Sequence, residues 1–139
     1  MKALLAVFAA TLILIGLSAS ADDSDAVAQA QVAAKSWLAL TDSAKYGQSW
    51  DAAASFFKGA VTKADWEKAV KGVRSPLGAM KGRKVKSATF TRTLPGAPDG
   101  EYVIIQFESQ FENKAAAIER VTPMRDKDGA WRVSGYYIK

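Results

Sequence analysis

Near residue 83 the spacing of apolar side chains changes from roughly one in 3.6 residues to one in two. That change divides the chain into a helical part and a strand part, a layout satisfied by helices packed on one face of an antiparallel sheet. In the first part, Val27, Ala30, Ala34, Trp37, Leu38 and Leu40 recur at helical spacing and predict a helix over residues 26–41. Asp25 can cap it, and Asp22 and Asp23 suit its positive end. Tyr46, Trp50, Ala53, Ala54 and Phe57 form a second stripe, which predicts a helix over 46–57 ended by Gly59. Thr62 and Asp65 have capping-box spacing and open a third helix. Its buried face is Trp66, Ala69, Val70 and Val73, and Pro76 and Gly78 end it.

From Arg83 the segments "RKVKSATFTRTL", "EYVIIQFESQF", "AAAIERVTPM" and "AWRVSGYYIK" alternate as strands. The turn-rich "PGAPDG", "ENK" and "RDKDG" separate them. The expected fold class is α+β: three N-terminal helices, then a four-stranded antiparallel meander. No internal repeat or second domain is visible.

The chain starts "MKALLAVFAATLILIGLSASADD". A lysine, an uncharged Leu/Ala/Ile-rich run and the small residues Ala19-Ser20-Ala21 follow the order of a secretory signal. The expected organisation is therefore a signal peptide at 1–21, a flexible lead-in at 22–25 and a single domain at 26–139, periplasmic or secreted after cleavage near Ala21. A membrane anchor is the alternative, but the apolar run is short for a span of about 20 residues.

The composition removes whole classes of chemistry. The chain has no Cys and no His. Disulfides, thiol catalysis, a His-based triad and the commonest zinc ligands are excluded. A Gly-rich phosphate loop and a GxSxG nucleophile elbow are absent, and "DKDG" lacks the closing Glu of a calcium loop. No cofactor and no metal are expected.

The net charge is +5, concentrated between residues 58 and 92, where ten bases meet two acids. Such a block usually forms a solvated face. In an exported protein it could dock on a peripheral anionic surface, lipid or cell-wall polymer, but nucleic acid is not an expected partner.

With these elements placed, "WLALTDSAKYGQSWD", "PLGAMKGRKVKSA", "LPGAPDGEYVIIQFESQFENKAAAIERVTPM" and "DGAWRVSGYYIK" resemble a bacterial family catalogued as domain of unknown function 4019. The order of elements resembles the nuclear transport factor 2-like superfamily. That resemblance implies a cone, with a strongly curved sheet folded over the helices and a pocket at the wide end. The superfamily holds enzymes and non-catalytic binding or dimerising domains alike, so it implies no single function.

The apolar face of the second strand, Val103, Ile105 and Phe107, should pack on the helices, leaving Glu108 outside. Two registers follow from the "ENK" turn. One opposes Glu108 to Glu119; the other, favoured by charge, opposes Glu108 to Arg120 and sets Phe107 beside Val121. Glu119 then faces inward near the wide mouth, beside Ser109. It is the one candidate general base, with Tyr46 or Tyr136 as proton donor. The commoner fate of such a carboxylate is pairing with a base such as Lys114, or reaching solvent. Asp42 reads as a helix cap, with Asp51 on an outer side.

Candidate ligand-lining residues are Tyr46, Trp50, Trp66, Ile105, Phe107 and Tyr137, an apolar set with a few polar tips. On the last strand, strict alternation puts Trp131, Val133 and Tyr137 on one face and Arg132, Ser134, Tyr136 and Ile138 on the other. Gly135 marks a bend. The expected function is a non-catalytic module binding a small apolar ligand or a protein, with a possible homodimer through the sheet. An isomerase- or cyclase-like enzyme using Glu119 is the alternative.

Overall fold

The computed structural model describes residues 21–139, with side chains from residue 23 onward. The expected signal peptide, residues 1–21, lies outside that range except for Ala21. Among the described residues, no helix is long and apolar enough to cross a membrane.

The first helix, α1, runs Ala21–Asp42 and is longer at its start than its apolar stripe predicts. The residues at 22–25, expected as a flexible lead-in, are helical. Its buried stripe is Ala26, Ala30, Ala34, Trp37, Leu38 and Thr41. The helix closes with two bonds, Lys45 N to Leu40 O at 2.8 Å and Ala44 N to Thr41 O at 3.1 Å. This stop needs a left-handed residue, and Ala44 supplies it at φ 57° where glycine is usual.

The expected second helix is two helices, α2 (Tyr46–Asp51) and α3 (Ser55–Ala60). The break has a tertiary cause. Ala53 and Ala54 are fully buried, and the Ala54 N–H leaves the helix to bond Val133 O at 2.8 Å. Asp126 then restarts it, accepting from Ser55 N at 3.0 Å and Ser55 Oγ at 3.1 Å. A fourth helix, α4 (Lys63–Leu77), is capped as its sequence requires: Thr62 Oγ1 accepts from Asp65 N at 3.3 Å. It carries Pro76 in its last turn and stops at Gly78, whose φ is 74°. A Cβ at Gly78 would also lie 2.9 Å from Glu112 Cβ, so glycine is required twice over.

The strands are β1 (Met80–Thr91), β2 (Tyr102–Phe111), β3 (Lys114–Arg125) and β4 (Trp131–Ile138). They form one open antiparallel sheet in the order β1-β2-β3-β4. The fold is α+β, with four helices rather than three.

Two details of register differ from expectation. Phe107 lies opposite Glu119, Ile105 opposite Val121, and Glu108 opposite Ile118. The chain adopts neither register that "ENK" suggested. Its register sits two residues from the charge-favoured one, and a shift of two preserves every face. Glu119 and Val121 therefore still point inward. Glu108 finds its cation on the other neighbour, Lys84 of β1, at 3.1 Å.

The second difference does change faces. Pro123 opposes Val133 but Thr122 opposes Gly135, so Ser134 is an extra residue in β4. One inserted residue inverts alternation beyond it. Tyr136 joins Trp131 and Val133 on the inner face, and Tyr137 turns outward, 61% exposed. The core lies between α1 and this inner face, where Val103, Ile105, Phe107, Val121, Trp131 and Val133 meet Ala26, Ala30, Ala34, Trp37 and Leu38. Trp66 and Val70 of α4 close one side.

Candidate functional site

Most residues expected to line a pocket are packed as core. Ile105 and Phe107 are buried. Trp66 sits edge-on to Phe57 at 4.9 Å and beside Trp37 at 5.9 Å. Its Nε1–H donates to Ser49 Oγ at 2.9 Å, and that of Trp50 donates to Val61 O at 2.8 Å. These indoles are held by internal acceptors, as tryptophans in a core usually are. Tyr46 packs against the edge of the core and lines an open groove between α2 and α4. Tyr137 lies on the outer face.

Glu119 is different. It is fully buried, at 0% exposure, and lies at the centre of a polar cluster on the inner face. Each strand contributes one residue: Arg83 from β1, Ser109 from β2, Glu119 from β3 and Tyr136 from β4. Thr41 and Asp42 reach in from the end of α1, and Arg74 from α4. Arg83 grips Glu119 with two bonds, Nε to Oε1 at 2.6 Å and Nη2 to Oε2 at 3.1 Å. Ser109 Oγ donates to Oε1 at 2.6 Å, and Tyr136 Oη donates to Oε2.

The second half of the cluster is built on Asp42. Arg83 donates to it twice, at 2.9 Å and 3.0 Å, and Arg74 Nη2 once, at 2.7 Å. Arg74 Nη1 also donates to Thr41 Oγ1 at 2.9 Å and to Tyr136 Oη at 3.4 Å. Its guanidinium lies 4.9 Å from the centre of the Phe111 ring. Two arginines thus face two carboxylates, with Glu119 and Arg74 buried and Asp42 at the rim, and the charge of the cluster balances.

Burial alone would raise the Asp42 pKa, but the hydrogen bonds and charges of Arg83 and Arg74 outweigh it and hold Asp42 below the ordinary carboxylate value. Burial, then the charge of Glu119, pushes the Tyr136 phenol well above its ordinary value, so it stays protonated as a donor.

This geometry limits the chemistry. A carboxylate has about four acceptor positions. Arg83 Nε, Arg83 Nη2, Ser109 Oγ and Tyr136 Oη occupy them on Glu119. A general base must reach the proton it removes, and this one is already fully engaged by its own fold. Glu119 does face inward beside Ser109, as alternation required; its partner is Arg83 rather than Lys114. Asp42 bonds two arginines from the end of its helix. One sequence signal pointed to the cluster: Arg74 follows Trp66 and Val70 at four-residue spacing, on the buried stripe of α4.

The basic block is not one free face. Arg74 and Arg83 are turned inward, Lys63 pairs with Asp51 and Lys84 with Glu108. Among the described residues, no group of three or more His, Cys, Asp or Glu side chains could hold a metal ion.

Searches of the curated proteins and of the solved structures returned no match to the chain. The model of one family does match it, over residues 33–136, from the middle of α1 to Tyr136 of the polar cluster. The chain belongs to that family, described as "Protein of unknown function (DUF4019)".

Proposed function

We propose that the chain is a non-catalytic, exported binding domain of the nuclear transport factor 2-like kind. In this reading the polar cluster is a structural clamp, and recognition uses other surfaces. The observation that carries it is the saturation of Glu119 by four donors at 0% exposure. An isomerase or cyclase working through Glu119 would have to dismantle two bonds to Arg83 and one to Tyr136 before each turnover. The order of elements, helices first and then a bulged antiparallel meander, supports the fold assignment. Export rests on the leader pattern and is checked by the N-terminal residue of the protein recovered outside the cytoplasm.

The test compares Glu119→Gln with the parent protein, by thermal melting and by native mass spectrometry of whatever co-purifies. The expected result is a lower melting midpoint with retained binding of the co-purifying molecule or protein. A turnover that vanishes in Glu119→Gln at an unchanged midpoint would overturn the proposal in favour of an enzyme.

One further observation favours pairing through the sheet. The outer face carries the exposed Tyr137, and a groove of about 550 Å³ at one end of the sheet is lined by Lys84, Gln110 and Ile118 together with Arg83, Ser109 and Ala117. Sedimentation at rising concentration should show a dimer that Tyr137→Lys weakens. A strict monomer excludes it.

A further inference from the structure

The fold uses its positive charge unevenly. Of the ten bases between residues 58 and 92, Arg74 and Arg83 turn inward, and Lys63 and Lys84 are paired. Lys58 donates to Asp51 O at 3.3 Å, and Arg92 lies over the Phe90 ring. Lys81 and Lys86 are the extra residues at the two register shifts of β1, an edge strand. Lysines and bulges are common guards of an open sheet edge. Two bases remain, Lys68 and Lys71 of α4, and Lys45 joins them in lining the groove between α2 and α4.

That groove has a volume of about 680 Å³ and is open to solvent. Its three lysines Lys45, Lys68 and Lys71 are exposed, and none has an acidic partner among the described residues. Lys63 and Asp51 also line it but cancel each other at 3.0 Å. Glu67 is the other acid in the wall, exposed and itself without a basic partner among the described residues. Gly47 admits it, since a Cβ there would lie 2.6 Å from Glu67 Oε1. Gln48 adds an exposed amide. The groove therefore offers unpaired ammonium groups, one free carboxylate and one amide, all within reach of a molecule arriving from solvent.

We propose that the α2–α4 groove binds an acidic oligosaccharide, a chain of sugars that carries both carboxylates and hydroxyls. The class follows from the mixture of groups. Ammonium groups donate and never accept, so the three lysines select the carboxylates. Glu67 is an acceptor only. It repels a ligand made of anions alone, but it accepts from a sugar hydroxyl. The Gln48 amide serves hydroxyls as donor or acceptor. A groove open along its length receives a segment of a longer chain from the side, whereas a flat lipid surface brings no row of hydroxyls to Glu67. The proposal rests on the reading of the chain as an exported binding domain and gives that reading a site and a ligand class.

The experiment titrates the purified protein with tetragalacturonate by calorimetry. Maltotetraose is the neutral sugar, linear tetraphosphate the anion without hydroxyls, and phosphatidylglycerol vesicles the lipid surface. Tetragalacturonate should bind saturably, with an affinity that falls as salt rises, and the other three should bind about tenfold more weakly or not at all. Lys68→Gln and Lys71→Gln should each weaken binding about fivefold, the scale of one exposed charge contact. Lys81→Gln makes the same change of charge on β1 and should leave binding as it was. Glu67→Gln should raise tetraphosphate binding and narrow the preference for the sugar. Each variant alters an exposed side chain, and its melting midpoint should match the parent's. No binding of tetragalacturonate, or an equal loss in Lys81→Gln, would overturn the groove. Tetraphosphate or vesicles bound as tightly as tetragalacturonate would overturn the ligand class. None of those results bears on Glu119, whose variant separately tests the broader reading.

Discussion

The inner face of the sheet is fastened to the helices in two ways. Toward Val103 and Val133 the contact is apolar, with Ile105, Val121 and Trp131 packing against the alanines of α1 and Leu38. Toward Ser109 and Glu119 it is ionic, with two arginines and two carboxylates locked by directional bonds. Apolar packing is non-directional, and its contribution follows area and volume. The ionic end works by stoichiometry. Losing one member leaves an uncompensated buried charge, whereas losing a matched pair does not. The two ends should therefore respond to mutation by different rules.

The largest effect is expected at Glu119. Glu119→Ala leaves Arg74 and Arg83 sharing Asp42 alone, with one positive charge in excess, and should cost about 3–5 kcal/mol in urea unfolding. Arg83→Met should cost a similar amount, because it strands Glu119. The double variant Glu119→Leu with Arg83→Met should cost less than either single change. If the two losses simply add, the ionic end obeys the same rule as the apolar one and the distinction fails. At the apolar end, Leu38→Ala should cost about 3 kcal/mol and Leu38→Met under about 1.5 kcal/mol, since volume rather than identity matters there.

Titration separates the ends without mutation. Asp42 and Asp126 are held below the ordinary carboxylate value, so the stability they contribute is complete above about pH 4 and is lost as pH falls through their lower folded values. Tyr136 has the opposite sign. Its raised value means stability present below about pH 10 that is lost as pH rises further. Melting midpoints measured against pH should fall at both extremes. Asp42→Asn should flatten the acid limb, and Tyr136→Phe the alkaline one. A Leu38→Ala protein should keep the parent's pH profile at a lower midpoint.

Much of this architecture is legible in the sequence because it is local. The change of period sets the α+β layout, and the turns "PGAPDG", "ENK" and "RDKDG" set the strand order. Alternation alone sends Glu119 inward, and it does so even from a register two residues off, because faces repeat every second residue. What escapes is non-local. The residue that restarts the chain at α3, Asp126, lies 71 positions from Ser55. Arg83 is 36 positions from Glu119, inside a basic run that reads as a solvated face. Gly135 adjoins the register shift, yet nothing in "RVSGYY" announces that Ser134 is the extra residue. That single insertion moves the inward tyrosine from Tyr137 to Tyr136, and with it the fourth strand's place in the cluster.

The helix caps bring the comparison to its smallest scale, because one is local and the other is supplied from across the fold. Thr62 caps α4 from the adjacent position, through an exposed 3.3 Å bond to Asp65 N. Asp126 caps α3 from the β3–β4 turn and accepts from Ser55 N, Ser55 Oγ, Lys127 N and Arg132 Nη1. Asp126→Ala should cost about 2 kcal/mol, at the upper end for a cap, because it frees a part-buried N–H and unties a turn as well as a helix. Thr62→Ala should cost about 0.5–1 kcal/mol, because water can replace an exposed acceptor. Amide hydrogen exchange distinguishes them further. Loss of Thr62 should speed exchange only in the first turn of α4. Loss of Asp126 should speed it at Ser55 and also at Ala54, whose N–H is held by Val133 O. If both variants lose the same stability and exchange only locally, the remote cap is no more than a local one, and the break between α2 and α3 needs another cause.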